Sequence, residues 1–385
     1  MYYMRVGDVP RKRHTWHTGG SGSRLHEELM GEEGFSGSSS LLYHLHSPSA
    51  LAGIAAAEVA RPELSPNMPL APWHIRASKL EPGGDLVTGR QVLLANDTVR
   101  ISWAEATASS ALYRNAAGDE LVYVQSGDAV LESVFGALAV SAGDYVSIPA
   151  STTHRWVLPD GSATQALIVE AAGHVSVPER YLTRTGQMKE GAPFCERDLR
   201  APEGPLLAEG ENVPVLVRTR AGWSTHTHAT HPFDVVGWDG CNYPFAFSIH
   251  DFEPVVGRIH QPPPVHQTFA GPGFVVCSFV PRLYDFDPEA VKVPYHHANV
   301  DSDEVLFYSA GDFMSRRGSG IGACSISLHP AGFVHGPQPG SVEASIAESR
   351  TEETAVMIDT FAPLLISDAA RSVSDAAYPS SWAGS

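Results

Sequence analysis

Positive charge is scarce: 26 Lys and Arg stand against 43 Asp and Glu, a net charge of −17 with histidine neutral. A field of that sign repels phosphate backbones and anionic headgroups, so neither nucleic acid nor an anionic membrane surface is an expected partner. Cysteine is scarce as well. The four (Cys195, Cys241, Cys277 and Cys324) lie far apart with no C-x-x-C pair, which excludes a disulfide framework and predicts reduced, mostly buried thiols. No run approaches the ~18 apolar residues of a membrane span. The basic start, residues 1–13, leads into no apolar stretch of the kind a signal peptide needs. Together these absences predict a soluble, cytoplasmic protein. Long helical periodicity is also rare, which argues against alternating βαβ units.

What is present is β-forming sequence. Gly (35) and Pro (29) are frequent and evenly spread. Between them lie short runs at 121–124, 138–140, 145–148, 166–169, 215–217, 274–279 and 305–308, many bounded by Gly-Asp, Pro-Asp or Pro-Gly turn signals. The pattern predicts a mostly β protein, an antiparallel sandwich or barrel. One short helix is expected near the start, at residues 23–30. A chain of 385 residues can bury a large core and is expected to hold two structural units. The tail after Ser367, rich in Ser and Ala, is expected to wrap the surface or to be partly mobile.

Two stretches 184 residues apart are copies of one motif. Asn115 matches Asn299, Asp119 matches Asp303, and Glu120 and Glu304 each stand seven residues before a Gly-Asp, at Gly127-Asp128 and Gly311-Asp312. A second block follows each copy, Ile148-Pro149-Ala150 running to His154 and His329-Pro330-Ala331 running to His335. The later copy offers His297, Glu304 and His335. The earlier keeps Glu120 and His154 but has Tyr113 where the first histidine belongs. This predicts a duplicated barrel with one live metal site and one lapsed site. The expected units are residues 1–230 and 231–385, joined near the histidine-rich stretch 225–232.

Two imidazoles and one carboxylate form a facial triad that suits non-haem Fe(II) and leaves the opposite face of the ion open to substrate and O₂ together. Zinc or Mn²⁺ is the rival reading for the same ligand types. His296 neighbours His297 and faces the other way along an extended chain, so it and His329 are expected to support the site or lie at the surface. Tyr295 shares the face of His297 and is expected to line the pocket. His226, His228 and His231 form an H-x-H-x2-H cluster with no matching carboxylate and are expected to be structural. Residues 257–267 hold three consecutive prolines between His260 and His266. The segment is either a rigid surface loop or a mount for a general base beside a bound phenol.

Over nearly its whole length the chain resembles homogentisate 1,2-dioxygenases, in a shorter bacterial form. The likeness is carried by the stretches beginning at Gly7-Asp8-Val9-Pro10, by Glu27 to His44, by His231-Pro232-Phe233-Asp234, by the His260 proline segment, by Asn299 to Glu304, and by His335-Gly336-Pro337. The resemblance implies a cupin-like double-stranded β-helix in a bicupin arrangement with a degenerate N-terminal barrel. It also implies an Fe(II) extradiol-type dioxygenase that opens homogentisate to maleylacetoacetate in tyrosine and phenylalanine breakdown. It puts the iron on His297, Glu304 and His335, makes His260 the catalytic histidine, and implies a trimer or hexamer. Tyr295, Tyr308 and His266 are the candidate substrate-binding residues. Ring cleavage of another hydroquinone such as gentisate, or a non-catalytic cupin that binds an aromatic ligand through its metal, are the alternatives.

The sequence departs from the longer animal form in two ways. Six residues separate His297 from Glu304 where that form has five, which implies a bulge near the carboxylate. Ala310 and Phe313 stand where the animal form has a basic residue and a tyrosine near the substrate carboxylate. The missing donors are expected from a neighbouring subunit, around Arg11, Arg13 and His14.

Overall fold

A computed structural model describes residues 2–20, 22–259, 261–316 and 318–383. The sequence repeat becomes two barrels whose strands keep matching partners. In the first, Glu120–Ser126 runs between Asp144–Ile148 and Thr164–Ala171, and the latter pairs with Val99–Ala106, all antiparallel. In the second, Asp303–Ala310 runs between Ser325–His329 and Thr354–Thr360, and the latter pairs with Phe274–Phe279. The registers agree residue by residue. Glu120 faces Ile148 and Glu170; Glu304 faces His329 and Asp359. A bulge at Val124/Ser126 recurs at Tyr308/Ala310. This is the mostly β, cupin-like bicupin arrangement expected, with only two five-residue α-helices among the described residues.

The repeated motif residues have identifiable mechanical duties. Gly127 and Gly311 end their strands with φ of +81° and +93°, and a β-carbon there would meet the carbonyl oxygens of Ala163 at 2.3 Å and Glu352 at 1.9 Å. Only glycine fits both constraints. Asp119 accepts from the main-chain N–H groups of Ala150 and Val175, each at 2.8 Å. Asp303 does the same for Ala331 at 2.9 Å and Leu364 at 2.8 Å. Each aspartate thus ties down the Pro-Ala turn that leads to its barrel's second histidine.

Alternation sends one face of each central strand into its own barrel and the other toward the neighbouring barrel. Between the barrels, Trp103 packs on Phe307, the Tyr123 hydroxyl meets Ser309 Oγ at 2.8 Å, and Tyr145 meets Ser278 Oγ at 2.9 Å. The interiors differ. The first is filled by a buried cluster that includes Val122, Val124, Leu131, Val146, Trp156 and Ile168. The positions of the second that share the face of Glu304 are Leu306, Tyr308, Ser327, Met357 and Cys277, a mixed and more polar lining.

The division at 230/231 is not a clean one. Val235–Gly240 pairs with Met4–Gly7 and Ser39–His44, and Phe245–Ser248 joins the first barrel beside Asp144–Ile148. In return, Trp73–Arg76 closes the edge of the second barrel beside Ser325–His329. Open strand edges need partners, and each half borrows them from the other. Residues 23–30 form no helix. His26–Gly31 is a strand paired with Ser39–His44, so tertiary pairing overrides a short local tendency. The tail does more than wrap the surface, since Tyr378 is buried within it.

Candidate metal centre

His297 and His335 face one another in an isolated antiparallel bridge, bonded main chain to main chain both ways at 2.8 and 2.9 Å. Such a pair puts both side chains on one face, and the ring centroids lie 4.3 Å apart. Each ring is oriented by a carbonyl two residues earlier, with Nδ1 3.0 Å from Tyr295 O in His297 and 3.1 Å from Phe333 O in His335. A carbonyl only accepts, so Nδ1 carries the proton and the lone pair of the neutral ring is on Nε2. Both Nε2 atoms face the Glu304 carboxylate, at 3.6 Å from His297 and 3.2 Å from His335. Lone pairs and carboxylate oxygens converging in this way need a proton or a metal cation between them, and the hydrogen bond to Glu304 accordingly raises the His297 imidazole. An imidazole fixed through its other nitrogen is the usual form of a metal ligand. The donor atoms of the three residues lie within 4.8 Å of one another. The set fits a divalent metal.

Glu304 has further support. Burial works to raise its carboxyl, but the three surrounding imidazoles outweigh this and hold it well below the usual range. The third imidazole is His329, fully buried and opposite Glu304 in register. Burial pushes His329 down to about 3, so it is neutral. Its Nδ1–H donates to Glu304 Oε1 at 2.9 Å, and its Nε2 accepts from the Tyr378 hydroxyl at 2.9 Å. His296 is exposed, with its ring against Gly336.

In the first barrel the same geometry surrounds a protein cation. Arg90 donates from Nη1 to Glu120 Oε1 at 2.9 Å and from Nη2 to Oε2 at 2.6 Å, with Nη1 also 3.1 Å from Glu170. The Tyr113 hydroxyl and Asn115 Nδ2 each donate to Glu120 at 2.9 Å. His154 still faces Tyr113 in register and still turns Nδ1 to a carbonyl two residues earlier, Thr152 O at 3.0 Å. The guanidinium occupies the place that corresponds to the candidate metal position of the second barrel. Sequence reading missed Arg90 because it lies 30 residues before Glu120, outside both repeated blocks. A second triad of ligand types, Glu32, Asp119 and His174, also gathers within 4.8 Å. There Asp119 is already engaged by the two main-chain N–H groups described above.

The remaining candidates are scattered. Tyr295 stands on the exposed flank of His297, ring edge to face at 6.2 Å. Tyr308 is buried, its hydroxyl 3.2 Å from Ser327 Oγ and accepting from Arg316 Nε at 3.0 Å. His266 is buried against the Phe279 ring at 4.6 Å, and burial, with Arg282 nearby, pushes it down to about 3. His260 lies outside the described residues. His226, His228 and His231 join neither metal-competent group among the described residues. The expected bulge beside the carboxylate does not form. The strand begins at Asp303, the extra residue falls in the connection from the His297 bridge, and the irregularity sits at Tyr308/Ala310. Arg13 pairs with Asp239 at 2.7 Å and His14 with Glu27 at 2.7 Å, both within the chain.

Arg316 was also missed. It is buried, donates to the Tyr308 hydroxyl and to Gly336 O (2.6 Å, Nη1), and lies over the Trp382 ring. Among the described residues it has no carboxylate partner. The only sequence signal is the Arg316-Arg317 doublet after the metal glutamate in a chain short of positive charge.

The profile of the homogentisate 1,2-dioxygenase N-terminal family matches residues 87–249. A Saccharolobus solfataricus protein that carries a provisional dioxygenase name is 39% identical over 99% of both chains. Homogentisate 1,2-dioxygenases of Emericella nidulans and Bradyrhizobium diazoefficiens are 25% and 27% identical over 60% of this chain. The chain spans about half the length of these two relatives, 53% and 52%. Among solved structures, the Escherichia coli protein Ylba covers 81% of this chain and 95% of its own at 10% identity and a TM-score of 0.37, too slight a likeness to argue from. No helix among the described residues is long and apolar enough to cross a membrane. By its full-length match to a dioxygenase-named relative and by the profile it shares, the chain belongs to the homogentisate 1,2-dioxygenase family.

Proposed function

We propose that this protein is an Fe(II)-dependent ring-cleaving dioxygenase for a hydroquinone with an anionic side chain, with homogentisate to maleylacetoacetate as the reaction to test first. The observation that carries this reading is the convergence of His297 Nε2, His335 Nε2 and the Glu304 carboxylate. Two imidazoles and a carboxylate on one face suit non-haem Fe(II) better than a closed structural site. When bound, iron supplies Lewis acidity toward a phenolic oxygen and a place for O₂ beside the ring.

The chain's own residues do the rest. The carbonyls of Tyr295 and Phe333 keep both ligand rings aimed, while His329, held in turn by Tyr378, keeps Glu304 aimed and ionised. Arg316 is a buried cation that a substrate carboxylate would complete, with Tyr308 and Ser327 as neutral neighbours. This makes the anchor internal, in place of donors from a neighbouring chain. His260 is the residue proposed to take the phenolic proton. Both oxygen atoms of O₂ enter the product as one ring C–C bond breaks, so no external reductant is needed. A cytoplasmic homo-oligomer, trimer or hexamer, is part of the proposal. The exposed apolar side chains of Val300 and Val334, near the ligand pair, support it, and light scattering at assay concentration tests it.

The deciding experiment is anaerobic loading with Fe(II) followed by O₂ uptake with homogentisate, gentisate and unsubstituted hydroquinone. Uptake with homogentisate and an open-ring product supports the reading. Uptake with gentisate alone moves the substrate, and uptake with none favours the non-catalytic aromatic-binding cupin.

A further inference from the structure

The two barrels differ in what neutralises one pair of facing carboxylates. In the first barrel Glu120 and Glu170 are register partners, and protein cations satisfy both: Arg90 bridges them, and Arg218 adds a second pair with Glu170. In the second barrel the same two positions are Glu304 and Asp359. Neither has a Lys or Arg ion-pair partner among the described residues. Among the described residues the ion-pair contacts of Glu304 are histidines, and Asp359 Oδ1 is covered without a hydrogen-bond partner. Even the next strand follows this pattern, since Arg100 faces Glu170 whereas Val275 faces Asp359. Cross-strand partners share a face, so Asp359 looks into the space that Glu304 looks into. Asp359 is half-buried overall, and a carboxyl with one oxygen covered and unpartnered is costly unless a proton or a cation comes to it.

We propose that Asp359 is the second carboxylate of the metal centre, a positioning residue that balances the charge of a divalent ion together with Glu304, as Glu170 does for Arg90. The inference rests on the metal reading above. It adds a residue outside the repeated motif, which sequence spacing could not have indicated.

The test is anaerobic titration of metal-free protein with Fe(II), and separately with Co(II), for the wild type, Asp359→Asn, Asp359→Glu and Glu170→Gln. Asp359→Asn is expected to bind roughly 10-fold or more weakly, the usual cost of losing a supporting group at a metal site. Asp359→Glu, which keeps the charge, should stay near wild type, and Glu170→Gln should leave metal affinity unchanged. The thermal midpoint of the metal-free protein separates this role from a structural one. Removing a carboxyl that has a covered, unpartnered oxygen and faces Glu304 should leave Asp359→Asn at or above the wild-type midpoint. Wild-type metal affinity in Asp359→Asn, a lowered metal-free midpoint or a failure to fold would each overturn the proposal. If the wild type itself takes up neither metal, it is the metal reading that fails.

Discussion

Replacing Arg90 with methionine tests whether the first barrel is held together at its lapsed site by charge. The side chains of Arg90, Glu120 and Glu170 are 6%, 1% and 5% exposed. Truncating one partner of a buried ion pair costs about 3–5 kcal/mol, because the other is left charged and unpaired. Here Glu120 keeps donors in Tyr113 and Asn115, and Glu170 keeps Arg218, so the lower end is expected. A second route agrees. Its direction is the same: burial works to raise the Glu120 carboxyl, yet Arg90, helped by His154 and Tyr113, outweighs it and brings it from 4.5 to about 2. The sign follows from the depressed value. The stabilisation is fully present above pH 4.5, the unperturbed value, and is lost as pH falls toward 2. Urea unfolding at pH 7 should therefore show Arg90→Met less stable by about 3 kcal/mol, with the gap narrowing below pH 4.5. Arg90→Met combined with Glu120→Gln should recover part of the loss. A single variant within about 1 kcal/mol of wild type at pH 7 would refute the reasoning, since that is the size of an ordinary surface pair.

Three further outcomes are expected. Glu304→Ala should leave the purified protein without retained iron, read by metal analysis, while Glu120→Ala should not change iron content. Arg316→Met should raise KM for an anionic hydroquinone roughly 10- to 100-fold, the worth of a charged hydrogen bond, and leave KM for unsubstituted hydroquinone unchanged. Gly311→Ala should cost more than about 2 kcal/mol by urea unfolding, because a β-carbon there meets a carbonyl oxygen at 1.9 Å; Gly332→Ala, with φ of +76° and open space, should cost only about 1 kcal/mol.

The legible features were those whose causes are local. Gly127 and Gly311 mark turns that only glycine can make, Asp119 and Asp303 tie matching turns, and the ligand-type residues stand at fixed distances from both. A repeated mechanical duty leaves a repeated residue at a repeated spacing, so the duplication, the β class and the convergence of His297, Glu304 and His335 could all be read in order along the chain. The short strands between turn signals were legible for the same reason, since pleat alternation is a property of neighbours in sequence.

The rest depends on which segments meet. Nothing near Glu120 announces Arg90, which arrives from an earlier strand connection to neutralise it. Tyr378 comes back from the tail to fix His329, and Asp359 becomes part of the centre only through the register of Thr354–Thr360 against Asp303–Ala310. Strand pairing across the 230/231 boundary is of the same kind, because exposed strand edges are closed by whichever segment folds beside them. By itself the sequence determined the two barrels, their turns and the three converging ligand-type side chains, all consequences of short-range backbone geometry. Only the tertiary structure decided what balances the buried charge in each barrel, because a carboxylate's partner is whichever cation the completed fold brings within reach.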